Sequence, residues 1–327
     1  MSSLFEIAKR IVYALSLVLA VIVFNFLLIH MAPGDPAEVI AGEMGGTTEE
    51  IVASIRQSYG LDQPLLTQLW LYLKQVAGGD LGYSYYFNRP VTDLILQRLP
   101  ATLLLVISAL LLAIIIGTAL GVVSARRPRG FLSHFVTVLA LVGFSAPVFW
   151  TGIMLLLLFA SYLSFFPVGG MYSMTLEGGF GVKALDVLHH LVLPMATLSI
   201  IYVAQYSRLA RASTLDVLGA DYIRTARAKG LSEAVVVYKH ALRNAVLPVV
   251  TIAGLQFSQL LSGAVLVETV FNWPGLGRLA FESILRRDYP TILGILFFSA
   301  FVVVIANLLT DLAYRLIDPR IKAGASS

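Results

Sequence analysis

The 327-residue chain contains no cysteine, and charged residues make up only 13% of it. The missing thiols exclude disulfides, thiolate nucleophiles and Cys-ligated zinc or iron–sulfur centres. A soluble domain carries about 25% charge, so roughly half the side chains that would face water are absent. No G-x-x-x-x-G-K-[ST] phosphate loop occurs, so the chain has no recognisable means of hydrolysing ATP itself. H-E-x-x-H and G-x-S-x-G are absent as well, and with them the familiar zinc-protease and serine-hydrolase constellations. The apolar runs have no Asp, Glu, Lys or Arg near their centres, where proton- and voltage-coupled transporters usually place them. Of the five histidines, His189 and His190 are adjacent. On a helix such neighbours diverge by about 100° and lack the convergence that a metal needs.

What the chain has in abundance is apolar sequence: 58% of its residues are hydrophobic and its mean hydropathy is +0.83. Charge-free intervals run over Ile11–Gly34, Leu99–Ala125, Gly130–Leu176, Val187–Ser207, Asn244–Val267 and Tyr289–Thr310. Each holds the ~20 apolar residues that cross a hydrocarbon core. The first is too long for the apolar core of a cleaved signal and lacks a small-x-small site, so it reads as a permanent span. In the third, Ser161–Ser173 is rich in Pro, Gly, Ser and Tyr, which marks the end of one span rather than a second. Ser145, Pro147 and Trp150 mark a kink inside that span, with a pore role as the sharper alternative. The expectation is an all-α membrane protein with six transmembrane helices.

Basic residues orient the helices. With the N-terminus cytoplasmic, 15 of the 23 Lys and Arg residues fall inside and only 8 outside, the bias expected of cytoplasmic loops. Both termini are therefore expected in the cytoplasm. In the first external loop Thr47-Thr48-Glu49-Glu50 is a capping-box pattern. It predicts a helix carrying Ile51, Ile55 and Tyr59 that stops at Gly60, and a second helix is predicted over Leu65–Val76. This loop forms either a small cap or a docking surface for an external partner.

The long cytoplasmic loop, 208–243, carries Asp221-Tyr222-Ile223-Arg224-Thr225-Ala226-Arg227-Ala228-Lys229-Gly230-Leu231-Ser232. Leu218, Tyr222 and Ala226 share one helix face, with Arg224 and Arg227 at i, i+3 on another. Gly230 can take the positive φ that ends a helix, and Ser232 can cap the next. Such an amphipathic helix either lies on anionic lipid or docks against a partner. In the fifth span Thr251, Gln256, Ser258, Gln259 and Ser262 are the candidate substrate path, with interhelical hydrogen bonding as the alternative role.

Several segments, in order along nearly the whole chain, carry a resemblance. They are His30-Met31-Ala32-Pro33-Gly34-Asp35-Pro36, Gly79-Asp80-Leu81-Gly82, Arg98-Leu99-Pro100-Ala101-Thr102-Leu103, Asp221 to Ser232, Glu268-Thr269-Val270-Phe271 with Pro274-Gly275-Leu276-Gly277-Arg278, and Asp318-Pro319-Arg320-Ile321. Together they resemble the first, B-type permease of the dipeptide/oligopeptide/nickel group of type I ABC importers. The resemblance implies residues 1–98 as a first helix plus an extracytoplasmic loop, 99–317 as the permease domain and 318–327 as a cytoplasmic tail. It implies that Leu218, Asp221, Tyr222, Arg224, Thr225, Ala226, Arg227 and Gly230 couple the chain to an ATPase.

It further implies a bacterial inner-membrane location, a heterodimer with a second permease, two cytoplasmic ATPases that bind ATP and Mg, and an extracytoplasmic solute-binding protein. The chain itself would hold no cofactor or metal, catalyse nothing and bind no nucleic acid. One departure stands out, because the Glu-Ala-Ala positions of the general coupling motif are Arg224-Thr225-Ala226 here. A secondary transporter or channel working without ATPase partners is the rival class.

Overall fold

The computed structural model describes residues 2–31, 35–43, 48–58 and 60–317. Apart from one two-residue hairpin, the regular structure among them is helical. The helices are α1 (Ser2–Met31), α2 (Pro36–Glu43), α3 (Glu49–Ser58), α4 (Leu65–Ala77), α5 (Val91–Arg126), α6 (Phe131–Ser145) and α7 (Val148–Leu155). Beyond these come α8 (Phe180–Leu218), α9 (Asp221–Ala228), α10 (Glu233–Val235), α11 (Leu242–Ala245), α12 (Leu247–Val270), α13 (Leu276–Arg286) and α14 (Tyr289–Ile317). π-Helical turns extend α7 over Leu156–Tyr162 and join α10 to α11 over Val236–Ala241.

Four of the described helical stretches are long and apolar enough to cross a membrane: Val91–Arg126, Phe180–Leu218, Glu233–Gly254 and Tyr289–Leu308. A fifth arises if Ser133–Ser145 and Val148–Tyr162 count as one span bent by 107°. The bend falls at Ala146-Pro147, as the sequence predicts. Proline lacks the N–H that would continue the helix, and it pushes the preceding residue out of the α region. Ala146 accordingly has φ −77° and ψ 131°. In α1, the apolar stretch Val12–Leu28 is shorter than the other spans.

Compactness groups residues 1–100 with 279–312, and 101–278 with 313–327. In the first unit the two short helices α3 and α4 form where predicted, and Val52 N–H donates to Thr48 O. Thr47 and Tyr59, the other residues of those signals, lie outside the described residues. Val52 and Ile55 bury themselves against Ala37 and Ala41 of α2. Asp35 pairs with Arg56, whose guanidinium holds the Asp35 carboxyl below the usual carboxylate range. The hairpin, which the sequence does not suggest, pairs β1 (Tyr83–Ser84) with β2 (Arg89–Pro90). The Ser84 hydroxyl, fully buried, donates to Asp288 Oδ2 at 2.6 Å, and Thr291 donates to the same carboxylate through Oγ1 (2.6 Å) and N (3.2 Å).

The second unit is built on a close crossing of α5 and α8. Gly117 and Gly121 form a G-x-x-x-G pair, the pattern that lets helix backbones approach in a membrane. A Cβ at Gly121 would come 2.5 Å from Ser207 O and 2.7 Å from Ala210 Cβ, and one at Gly117 would come 2.6 Å from Tyr206 Cβ. Around this contact Leu105, Val106, Leu198, Tyr206, Leu260 and Trp273 make the core.

Candidate functional site

The loop carrying Asp221 to Ser232 begins where α8 stops at Leu218. Gly219 and Ala220 interrupt the helix, and Ala220 is extended, with φ −72° and ψ 151°. Asp221 then opens α9 in the first turn, where a carboxylate complements the helix dipole. This break puts Leu218 out of phase with α9. Of the expected face of Leu218, Tyr222 and Ala226, Ala226 and Leu218 are drawn into one apolar cluster while Tyr222 is turned outward. Ile223 (0% exposed) and Ala226 (7%), at i and i+3, pack against Val236 and Ala241, with Val217 and Leu218 beside them. Tyr222, Arg224, Thr225 and Ala228 are left exposed.

Gly230 ends α9 with φ +77°. Its N–H donates to Arg227 O at 2.9 Å, and Leu231 N–H donates to Ala226 O at 3.4 Å. Those two bonds are the Schellman pattern, which satisfies carbonyls that a helix end leaves open. Ser232 precedes α10 in an extended conformation but makes no side-chain cap. Its carbonyl accepts Val236 N–H instead.

Polar contacts tie α9 to its surroundings. Arg227 donates through Nη2 and Nε to the two oxygens of Glu233, at 2.7 and 3.1 Å. Its Nη1 reaches Leu218 O at 3.5 Å. Asn244 Nδ2 donates to the Tyr222 hydroxyl at 2.8 Å. Arg224 and Asp221 sit 3.4 Å apart, but both are so exposed that their attraction is weak. The Thr225 hydroxyl bonds back to Asp221 O at 3.1 Å.

In α12, Gln256 donates through Nε2 to Gln205 Oε1 of α8 at 2.8 Å, while its own Oε1 is buried with no partner among the described residues. Gln205 is inconspicuous in the sequence because it lies at the end of the fourth apolar run. An uncharged amide inside such a run is nonetheless a usable signal. Gln259 is exposed, and the Thr251 hydroxyl is spent on Leu247 O at 2.9 Å. Ser258 and Ser262 belong to α12, but their side chains lie outside the described ones.

A second cluster is unforeseen in the sequence, although both its segments stand out there. α12 runs on past Val267 and carries Glu268, fully buried, into the core. The Thr102 hydroxyl donates to Glu268 Oε1 at 2.6 Å and accepts Leu276 N–H at 2.7 Å. Arg278 N–H donates to Glu268 Oε2 at 3.0 Å, and Trp273 Nε1 donates to Ala101 O at 2.9 Å. Gly275 passes so close to this carboxylate that a side chain there would collide with it. Among the described residues no three His, Asp or Glu side chains gather to hold a metal. His189 and His190 turn to separate carbonyls, of Phe165 and Asp186.

Comparison with known proteins gives the family of the chain. The family model described as "Binding-protein-dependent transport system inner membrane component" matches residues 117–323, and its N-terminal companion matches 4–106. The chain is 40% identical to a dipeptide transport system permease protein, DppB, of Alkalihalophilus pseudofirmus, over 96% of this chain and 98% of that one. It is 39% identical to DppB of Escherichia coli K12 (97% and 98%) and 38% identical to the oligopeptide transport system permease protein AppB of Bacillus subtilis (97% and 98%). A chain of the MetNI methionine ABC transporter, solved in inward-facing conformations, superposes with a TM-score of 0.54 at 17% identity, covering 69% of this chain and 96% of that one. The likeness to that chain establishes the fold alone. Family-model matches over most of the sequence, together with relatives near 40% identity along its whole length, make this protein a member of the inner-membrane components of binding-protein-dependent transport systems.

Proposed function

We propose that the chain is one permease of a heterodimeric ABC importer for peptides. Two cytoplasmic ATPases, holding ATP and Mg, drive it, and a solute-binding protein outside delivers the cargo. The peptide class rests on the relatives, which are named for dipeptides and oligopeptides. Six spans with cytoplasmic ends result if α1 and the bent α6–α7 pair each cross once beside the four long helices. Residues 99–317 then form the permease domain, behind a 1–98 segment that adds a helix and an external cap, and 318–327 form the tail. The observation that carries the reading is α9, a two-turn helix ended by a Schellman glycine, with Tyr222, Arg224 and Thr225 turned outward for an ATPase to grip.

Reconstitution tests this. With its ATPases, second permease and binding protein in proteoliposomes, the chain should support ATP-dependent uptake of a dipeptide; purified alone, it should hydrolyse no ATP. Because the chain has no native cysteine, single cysteines at Gln63 and Ala228 report sidedness in the same vesicles. Gln63→Cys should react with an impermeant thiol reagent from the binding-protein side and Ala228→Cys from the ATPase side. Uptake without ATPases would favour a channel or secondary transporter, and the reverse labelling would sink the orientation.

For the substrate path, Gln256, Ser258, Gln259 and Ser262 are joined by Gln205, since a mutually bonded amide pair can exchange that bond for the amide of a passing peptide. Gln205→Leu and Gln256→Leu should each lower the uptake rate severalfold, with ATPase co-purification unchanged. Normal rates for every dipeptide tried would leave the pair as a tie between helices.

A further inference from the structure

Glu233 plays no part in the coupling motif as the sequence presents it, yet it ties the start of α10 to α9. A glycine at position 230 suggests a swivel that leaves α9 free to move with whatever it touches. The contacts across it argue otherwise. Arg227, on the last turn of α9, grips both oxygens of Glu233 at 2.7 and 3.1 Å, three residues beyond the glycine. A planar guanidinium engaging a carboxylate in this two-pronged way fixes an angle as well as a distance. Asn244 to the Tyr222 hydroxyl, at 2.8 Å, is a second tie across the same turn. Ile223 and Ala226 against Val236 and Ala241 form an apolar seam between the two ties.

Arg126 is the last residue of α5. The Arg126 guanidinium stands 5.6 Å from the centre of the Tyr238 ring, on the π-helical turn that succeeds α10. The tight crossing of α5 with α8 at Gly117 and Gly121 holds that end of α5 in place.

We infer that Glu233 is a positioning residue for coupling, one that binds the docking helix α9 to the start of α10 through Arg227. This inference rests on the reading of α9 as the ATPase-docking helix. Displacement of α9 then reaches the α10–α12 run, and through the Tyr238 ring Arg126 at the end of α5, rather than being absorbed at Gly230. The linkage acts through charge, so ionisation at position 233 matters more than side-chain volume.

The experiment compares Glu233→Asp with Glu233→Gln in the complete importer, measuring peptide taken up per ATP hydrolysed. Glutamine keeps the size and loses the charge; aspartate keeps the charge on a shorter stem. Glu233→Gln and Arg227→Gln should each retain the ATPases yet lower uptake per ATP about tenfold, whereas Glu233→Asp should keep at least half the wild-type ratio. If the side chain only fills space, the order reverses and Glu233→Gln is the milder change. That order, or a wild-type ratio for Glu233→Gln, overturns the inference. A cysteine at Thr225 separates this failure from failure of the docking reading. If Thr225→Cys crosslinks to an ATPase while Glu233→Gln couples normally, only the linkage is wrong. If no crosslink forms in the assembled importer, α9 is not the docking helix and the linkage falls with it.

Discussion

Gly230→Val is expected to uncouple the importer while leaving it assembled in the membrane. Gly230 sits at φ +77°, a conformation that a β-branched residue reaches only as an outlier. A Cβ built there meets no atom within 4 Å, so the penalty is one of backbone conformation and not of space. Strain of this kind costs about 1–3 kcal/mol, too little to unfold a membrane domain. It is enough to break the Schellman bonds from Gly230 to Arg227 and from Leu231 to Ala226, and so to turn α9 away from its partner. Uptake per ATP should fall at least tenfold. Gly230→Asn, which tolerates the left-handed region far better, should keep most of the coupling. The two variants are compared by ATPase co-purification and peptide uptake in vesicles, and wild-type uptake by Gly230→Val would sink the assignment. Tyr222→Ala removes an outward ring together with its bond from Asn244, so it cannot separate docking from hairpin geometry; the glycine pair can.

Glu268→Ala should damage stability rather than coupling. The carboxylate is fully buried and accepts from both the Thr102 hydroxyl and Arg278 N–H. Each buried donor left unmet costs about 1–3 kcal/mol, and the vacated volume adds to the loss. Two unmet donors amount to about 2–6 kcal/mol, comparable with the whole stability of many domains. Lower abundance in the membrane and a depressed thermal midpoint of the solubilised protein are expected. Gly275→Ala should act in the same direction for a steric reason, since its methyl would meet the Glu268 carboxylate. Glu268→Gln, which keeps an acceptor oxygen, should fall between Glu268→Ala and the unchanged protein. An unchanged midpoint for Glu268→Ala would show that this cluster bears little of the fold's stability.

Features encoded within a few residues are legible in the sequence. The helices at 49–58 and 65–77 announce themselves by a cap and by apolar spacing, the bend at Ala146-Pro147 by its proline, and the end of α9 by Gly230. Features depending on distant partners are not. Glu268 meets Thr102 across 166 residues and Gln256 meets Gln205 across 51. Periodicity registers that a residue is polar but not what it will face. The face of α9 is legible only in part for a local reason, because Gly219 and Ala220 interrupt the helix between Leu218 and Tyr222, and Tyr222 is turned outward while Leu218 and Ala226 meet in one cluster. Glu268 falls outside its expected span for a related one. A charge reads as the boundary of an apolar run, although the helix continues through it when hydrogen-bond donors are waiting.

The 39 residues of α8 extend for about 58 Å at 1.5 Å per residue, nearly twice the hydrocarbon thickness of about 30 Å. Pro194 is the natural flexing point, since its ring removes one hydrogen bond from the ladder. From there the arm to Gln205 measures about 16 Å and the arm to Leu218 about 36 Å. A tilt of about 10° at Pro194 would shift the first by about 3 Å and the second by about 6 Å. Were α8 to flex at Pro194, it would act as a geared lever: a short stroke beside the amide pair would correspond to a stroke about twice as long where α9 begins.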